Sequence, residues 1–242
     1  AVAALNIMRL GKHWVGMLIE EPMPRHTPLA WTPHQFDVVT TEVLTRPGPP
    51  SSRTFADVIE KRRSTVGDPI KLSLVAELLW HAVGWKGHAP SGRAGLPIAW
   101  SASPSSGGLQ SINIVCIPDD SSAPRLYDPV NHAFLLLRAN DERVCLENRR
   151  AVLSVTGQQS GCTLRLIGDR SKISAAYENA QSLLLRDAGA VLATICLCAE
   201  WLGLSACPLG FLGDAMLPLL ALPGERFQGV GGILISGAKR DR

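Results

Sequence analysis

The sequence is poor in the features that would assign it most quickly. Its six cysteines (Cys116, Cys145, Cys162, Cys196, Cys198 and Cys207) contain no CxxC pair, and His81, His88 and His132 show no metal spacing, so no zinc or other metal site is expected. The net charge is only +3 and no basic block is interleaved with aromatics, which argues against nucleic acid because phosphate neutralisation needs clustered cations. No apolar run continues uninterrupted for the roughly 20 residues a membrane span requires. The nearest approach, residues 188–212, is broken by Glu200, Gly203 and Pro208, and reads as a helix buried in protein. The N-terminus shows no basic start followed by an apolar core and a cleavage site, so no signal peptide is expected. With unpaired thiols, that points to a cytoplasmic protein. No internal repeat is present.

What is present is a chain of 242 residues, 46% hydrophobic, enough for one substantial core. Residues 1–50 carry many prolines and read as an irregular arm with short strands, ending in the linker RPGPPSS, with the main domain at 51–242. The arm is expected to embrace a second subunit. FADVIEKRR, 55–63, has helical spacing and a cap at Thr54, and LSLVAELLWHAVGW, 72–85, has Ser73 to start it and Gly84 to end it. The loop at 86–100 follows, with Arg93 facing substrate. SINIVCIP is a strand by its β-branched content, RLYD and AFLLLR form a hairpin, and AVLSVTG and TLRLIG are expected as further strands. Residues 171–203 make one long helix or two, and GGILISG is a final strand. Helices first, strands in the middle and an apolar late helix indicate an α+β layered domain.

Three stretches invite a chemical reading. Arg62, Arg63 and Ser64 in KRRST combine cations with a hydroxyl, the residue types that hold a phosphate, although basic residues at a helix end also suit its negative pole. The turn PSSGGLQS, 104–111, offers Ser105, Ser106, Gly107, Gly108 and Gln110. Small residues are needed where backbone meets a flat ring, and equally in a tight turn. The third stretch, DAGAVLATICLCAEWLGLSACPLGF, is apolar and ends in Pro208, Leu209 and Gly210.

In this order and spacing the three stretches resemble the flavin-dependent nitroreductase family over roughly residues 55–240. The hairpin RLYDPVNHAFLLL further resembles the SagB-type branch, whose members include dehydrogenases that oxidise peptide azolines to thiazoles and oxazoles. The resemblance implies a nitroreductase-like α+β fold with a mainly antiparallel sheet, bound FMN, and a homodimer with the long helix and the flavin at its interface. It assigns Arg62 and Ser64, joined by Lys239 and Arg240, to the phosphate, and the serine–glycine turn with Gln110 to the ribityl chain and ring. Asp187 and Gly189, at the start of the apolar helix, would bring a backbone N–H near flavin N5, and Pro208, Leu209 and Gly210 would line the ring's other side. Tyr177 matches the tyrosine of a Lys-Tyr base pair in the peptide-oxidising branch. Two departures stand out: Val66 replaces a family cation, and Ala176 precedes the tyrosine, with Lys172 the nearest lysine. The substrate implied is a modified peptide or other small molecule, and the chain would join a peptide-modifying complex. The alternatives are a generic NAD(P)H-dependent nitro or quinone reductase and a flavin-free scaffold that binds a peptide or protein.

Overall fold

A computed structural model describes residues 4–10, 13–48, 52–92, 95–157 and 160–238, with backbone alone for 4–19. Its strands are β1 (Ala4–Leu10), β2 (His13–Ile19), β3 (Met23–Pro24), β4 (Val38–Val43), β5 (Gly87–Ala89), β6 (Ile98–Trp100), β7 (Ile112–Pro118), β8 (Arg125–Asp128), β9 (Ala133–Leu137), β10 (Cys162–Asp169), β11 (Tyr177–Glu178), β12 (Ser205–Leu209) and β13 (Phe227–Ser236). Its helices are α1 (Phe55–Lys61), α2 (Leu72–Val83), α3 (Asp141–Thr156), α4 (Arg170–Ala176) and α5 (Gln181–Leu202).

Seven strands form one antiparallel sheet in the order β12-β13-β10-β7-β8-β9-β4. Every residue of β10 is buried, because the sheet is covered on both faces. Alternation along β7 and β10 divides their side chains between two cores. Ile114, Cys116, Leu164 and Leu166 pack with α2 and α5. Val115, Ile117 and Ile167 pack instead with α3 and the short 3-10 turns Asp214–Met216 and Pro218–Leu220. The expected α+β layering, with an antiparallel sheet flanked by helices, is what the structure has.

The differences from expectation have local causes. AVLSVTG is the end of α3 rather than a strand. Val144, Asn148 and Val152 lie four residues apart and form its buried face, and Gly157 closes it in the left-handed conformation at φ 67°. Asn140, not an upstream strand, supplies its N-cap. Lys71, without a side-chain bond, replaces Ser73 as the residue before α2, whereas Thr54 and Asp57 form the full capping box of α1. The late helical region is two helices, α4 and α5, separated by Tyr177–Ala180. Residues 205–209 pair with β13 as the sheet's edge strand.

From β3 onward the segment read as an arm lies on its own chain. Strand β4 pairs with β9, β3 pairs with β11, and Arg25 and Leu29 donate backbone N–H bonds to Ala176 and Ala175. Helix α5 is long and apolar enough by composition to cross a membrane, yet it packs on α2 and the sheet and carries buried Asp187 and Glu200.

Candidate functional site

Two groups of the expected residues come together, at opposite ends of α5. The first lies where α1 ends. Arg62 is the residue after the helix, and Ser64 bridges to Ala206 of β12 while Thr65 N–H donates to the Ala206 carbonyl at 3.1 Å. Gly67 N–H donates to Ser236 Oγ at 2.7 Å, and a Cβ at Gly67 would run into the Gly237 and Ala238 carbonyls. The end of β13 is thereby held against this turn. Lys239 and Arg240, which follow it, lie outside the described residues, as does Arg93.

This end has unused donors. No hydrogen bond or ion pair engages the Arg62 guanidinium or the Ser64 hydroxyl among the described residues, whereas Arg63 Nη1 bonds the carbonyls of Glu60 and Arg62. Thr65 Oγ1 and Ser205 Oγ are buried without a partner. Neither was singled out by sequence reasoning; Thr65's place directly after Ser64 was the available signal. Val66, the departure from the family pattern, is half-buried against Val152, Leu209 and Leu234, so its position belongs to the core and not to the cation cluster.

The second group sits about one turn and a half into α5. Asp187 is buried, and its carboxylate accepts from Ser106 N–H at 2.9 Å and from Ser106 Oγ at 2.7 Å. Burial pushes the Asp187 carboxyl above the usual carboxylate range, with the two Ser106 bonds working against it. Ser105 Oγ accepts from Gln110 N–H at 3.0 Å. The hydroxyl of Tyr177 stands over Gly107, 2.8 Å from where a Cβ would be. Gly107 and Gly108 both have positive φ, 60° and 72°, so the turn's own geometry already requires glycine at both. Ser105 and Ser106, likewise, bond within the chain.

Other expectations are revised. Asp187 and Gly189 do not begin the helix: it starts at Gln181, and interior N–H groups bond the carbonyl four residues back, so neither offers a free N–H. Leu209 is buried between Val152 and Leu234, leaving exposed Pro208 and Gly210 as the outward residues of that segment. Gln110 turns back toward Ser101, Ser103 and Ala99 through long contacts of 3.4–3.5 Å. Lys172 does not join Tyr177; it lines a cavity beneath residues 31–36 that Gln110 also lines.

Along α5 the two groups stand apart: from Asp187 to Cys196, which lies near the Arg62 charge, is nine residues of helix, about 13.5 Å at 1.5 Å per residue. A stripe of α5 faces away from the core, with Leu185, Gly189 and Ala193 exposed, and exposed Phe55 and Ile59 of neighbouring α1 extend the apolar surface. A Cβ added at Gly189 or Gly210 would meet no atom of this chain within 4 Å. Residues of the kinds a phosphate needs are free at one end, and small residues without neighbours stand open near the other. That donor set fits FMN, with the site divided between two places.

The family model described as the nitroreductase family matches residues 59–234. Among solved structures, a protein assigned as a nitroreductase from Ralstonia eutropha JMP134 superposes with TM-score 0.64 at 22% identity, over 88% of this chain and 98% of that one. One from Anabaena variabilis ATCC 29413 gives 0.59 at 16% identity, over 87% of this chain and 41% of that one. A chain of the E. coli microcin synthetase McbBCD complex, solved with truncated pro-MccB17 bound, gives 0.55 at 16% identity, over 82% of this chain and 79% of that one. Sequence comparison with curated proteins gives no match.

Proposed function

As this chain belongs to the nitroreductase family and is a flavin-type oxidoreductase, we propose that it binds FMN between two copies of itself and acts as a SagB-type dehydrogenase on a modified peptide. The observation that carries the reading is the division of the site. Free Arg62 and Ser64 lie at one end of α5, and the Ser106–Asp187 pair with Tyr177 at the other. Two chains packed through the uncovered stripe of α5 and α1 would set one copy's phosphate end beside the other's turn.

In that arrangement Arg62 and Ser64 hold the phosphate, joined by Lys239 and Arg240, and Arg63 adds positive charge nearby. Asp187 fixes the turn through Ser106, so that Ser105, Gly107 and Gly108 present a surface without bulk. Gly189, Pro208 and Gly210 leave room for a flat ring. FMN, when bound, supplies the hydride acceptor at N5, because the hard redox step is the cofactor's own. Tyr177 holds its hydroxyl at the turn, where it can take up or deliver a proton without a lysine beside it. The glycine at 108, the β8–β9 hairpin and the likeness to the microcin synthetase chain support the peptide-oxidising branch. The six free thiols suit a reducing compartment such as the cytoplasm, and a peptide-modifying complex is the assembly we expect.

The test is an absorbance spectrum of the purified chain, followed by incubation with a thiazoline-bearing peptide. Flavin colour and loss of two hydrogens from the peptide, slowed in Tyr177→Phe, support the reading. Turnover of NADPH with a nitroaromatic and no peptide oxidation identifies a generic reductase. A second reading, the flavin-free binding scaffold, is favoured by one observation: the glycines and serines of the turn are already accounted for by Tyr177, Asp187 and positive φ. Protein that stays colourless after FMN is added would establish it.

A further inference from the structure

The cavity beneath residues 31–36 touches the flavin reading only at Gln110, which lines it, and its chemistry is distinct. It measures about 180 Å³. Aromatic side chains of Trp31, Phe36, Tyr127 and Phe227 form much of its wall. Lys172, only 7% exposed, lines it from α4. No hydrogen bond or ion pair holds the Lys172 ammonium among the described residues. Its nearest described contact is the Trp31 ring, 5.0 Å from Nζ. Ser111, 1% exposed, also lines the cavity, and its Oγ is buried without a partner, as is Trp31 Nε1.

The charges around Lys172 do not balance. Asp169 is the one carboxylate of the cavity wall, and both of its oxygens are engaged. One accepts from Ser171 Oγ at 2.6 Å and Lys172 N–H at 3.1 Å, and the other pairs with Arg226 at 2.8 Å. Two cations, Lys172 and Arg226, therefore share one anion. His34, also in the wall, adds none, since burial and Arg226 favour its neutral form. Tyr127 is kept protonated by burial. An unpaired buried ammonium is costly, and burial lowers the Lys172 pKa despite Asp169. A buried ammonium without an ion-pair partner, in a residue lining an aromatic cavity beside the unbonded donors of Ser111 and Trp31, describes a receptor for a small anion with a flat apolar body.

We propose that this cavity binds a small aromatic carboxylic acid, its carboxylate paired with Lys172 and bonded by Ser111 Oγ, its ring packed among Trp31, Phe36 and Phe227. Size agrees: an apolar cavity of about 150 Å³ accepts benzene. Tyr177, Arg62 and Ser64 do not line this cavity, whereas Gln110 of the serine–glycine turn does, so the test must separate the two sites.

Benzoate is the probe, titrated calorimetrically into the full chain. Saturable one-site binding is expected, weakened tenfold to a hundredfold in Lys172→Met, the loss expected of one charge-assisted bond, and less in Ser111→Ala. Lys172→Met retains the side chain's bulk, and its thermal melt verifies that it folds. Benzyl alcohol, which has the ring without the charge, should bind weakly and equally to wild type and Lys172→Met. Benzoate binding that persists in the Arg62→Ala variant separates this cavity from any flavin-dependent site. No saturable binding, or binding unchanged in folded Lys172→Met, overturns the proposal, as does binding lost with Arg62→Ala alone.

Discussion

The two ends of α5 solve different problems with similar residues. At the turn end, Ser105, Ser106, Gly107 and Gly108 are bound up in the chain's own structure: Ser106 with Asp187, Ser105 with Gln110, and Gly107 beneath Tyr177. At the other end, the side chains of Arg62 and Ser64 have no described hydrogen bond or ion pair, and the hydroxyls of Thr65 and Ser205 are buried and unbonded. The first end is preorganised and the second is waiting for something to bond. A run of small residues is therefore weaker evidence for a ligand than a cluster of unsatisfied donors, since backbone geometry alone can require glycine while buried polar groups are ordinarily paired.

The comparison breaks most readily at the open end. Arg62→Ala should weaken FMN binding about tenfold to a hundredfold, as expected for loss of a charged hydrogen bond of roughly 1.5–3 kcal/mol. Its urea-unfolding midpoint should move little, because no described hydrogen bond or ion pair holds the side chain. Fluorescence titration with FMN reads the first and urea melts the second. Asp187→Ala should do the reverse and destabilise the chain by about 1–2 kcal/mol, because it leaves the Ser106 donors unpaired. A calorimetric melt without flavin measures this.

Smaller effects sharpen the account of the turn. Gly107→Ala should cost about 1–2 kcal/mol for a side chain at positive φ, with an added clash against the Tyr177 hydroxyl. In a Tyr177→Phe background the clash is relieved, so a double-mutant cycle should show coupling of at least about 0.5 kcal/mol. Smallest is a pH effect. Burial raises the Asp187 pKa in the folded chain, so the folded state holds that proton more tightly than the unfolded state. The group's stabilising contribution is full below its ordinary value of 3.8 and is lost as pH rises through the folded value. Asp187→Asn should compare more favourably with wild type at neutral pH than in acid, in paired urea melts.

Much of this was legible in the residues. The apolar late segment, the β-branched strand at 112–118 and the hairpin at 125–137 announced themselves by composition and period. Helix α3 did not, because AVLSVTG alternates like a strand, and its helical face is visible only when Val144 and Asn148 are read with Val152. The start of α5 was placed late because the small residues of DAG resemble a helix entrance, while the sequence before them, QSLLLR, is also good helix. The turn glycines were recognised as necessary, but the partner that crowds Gly107 is seventy residues away at Tyr177. Such long-range contacts leave no local pattern. The same holds for Lys172, whose cavity is closed by residues 31–36 from the far end of the chain.

One titration bears most directly on the central claim that the divided donor set clasps a flavin. FMN is added to the purified chain while flavin fluorescence and sedimentation are followed together. Saturation at one FMN per chain in a dimer, lost on Arg62→Ala with the fold intact, is the predicted result. Unquenched FMN over a well-folded protein would contradict it.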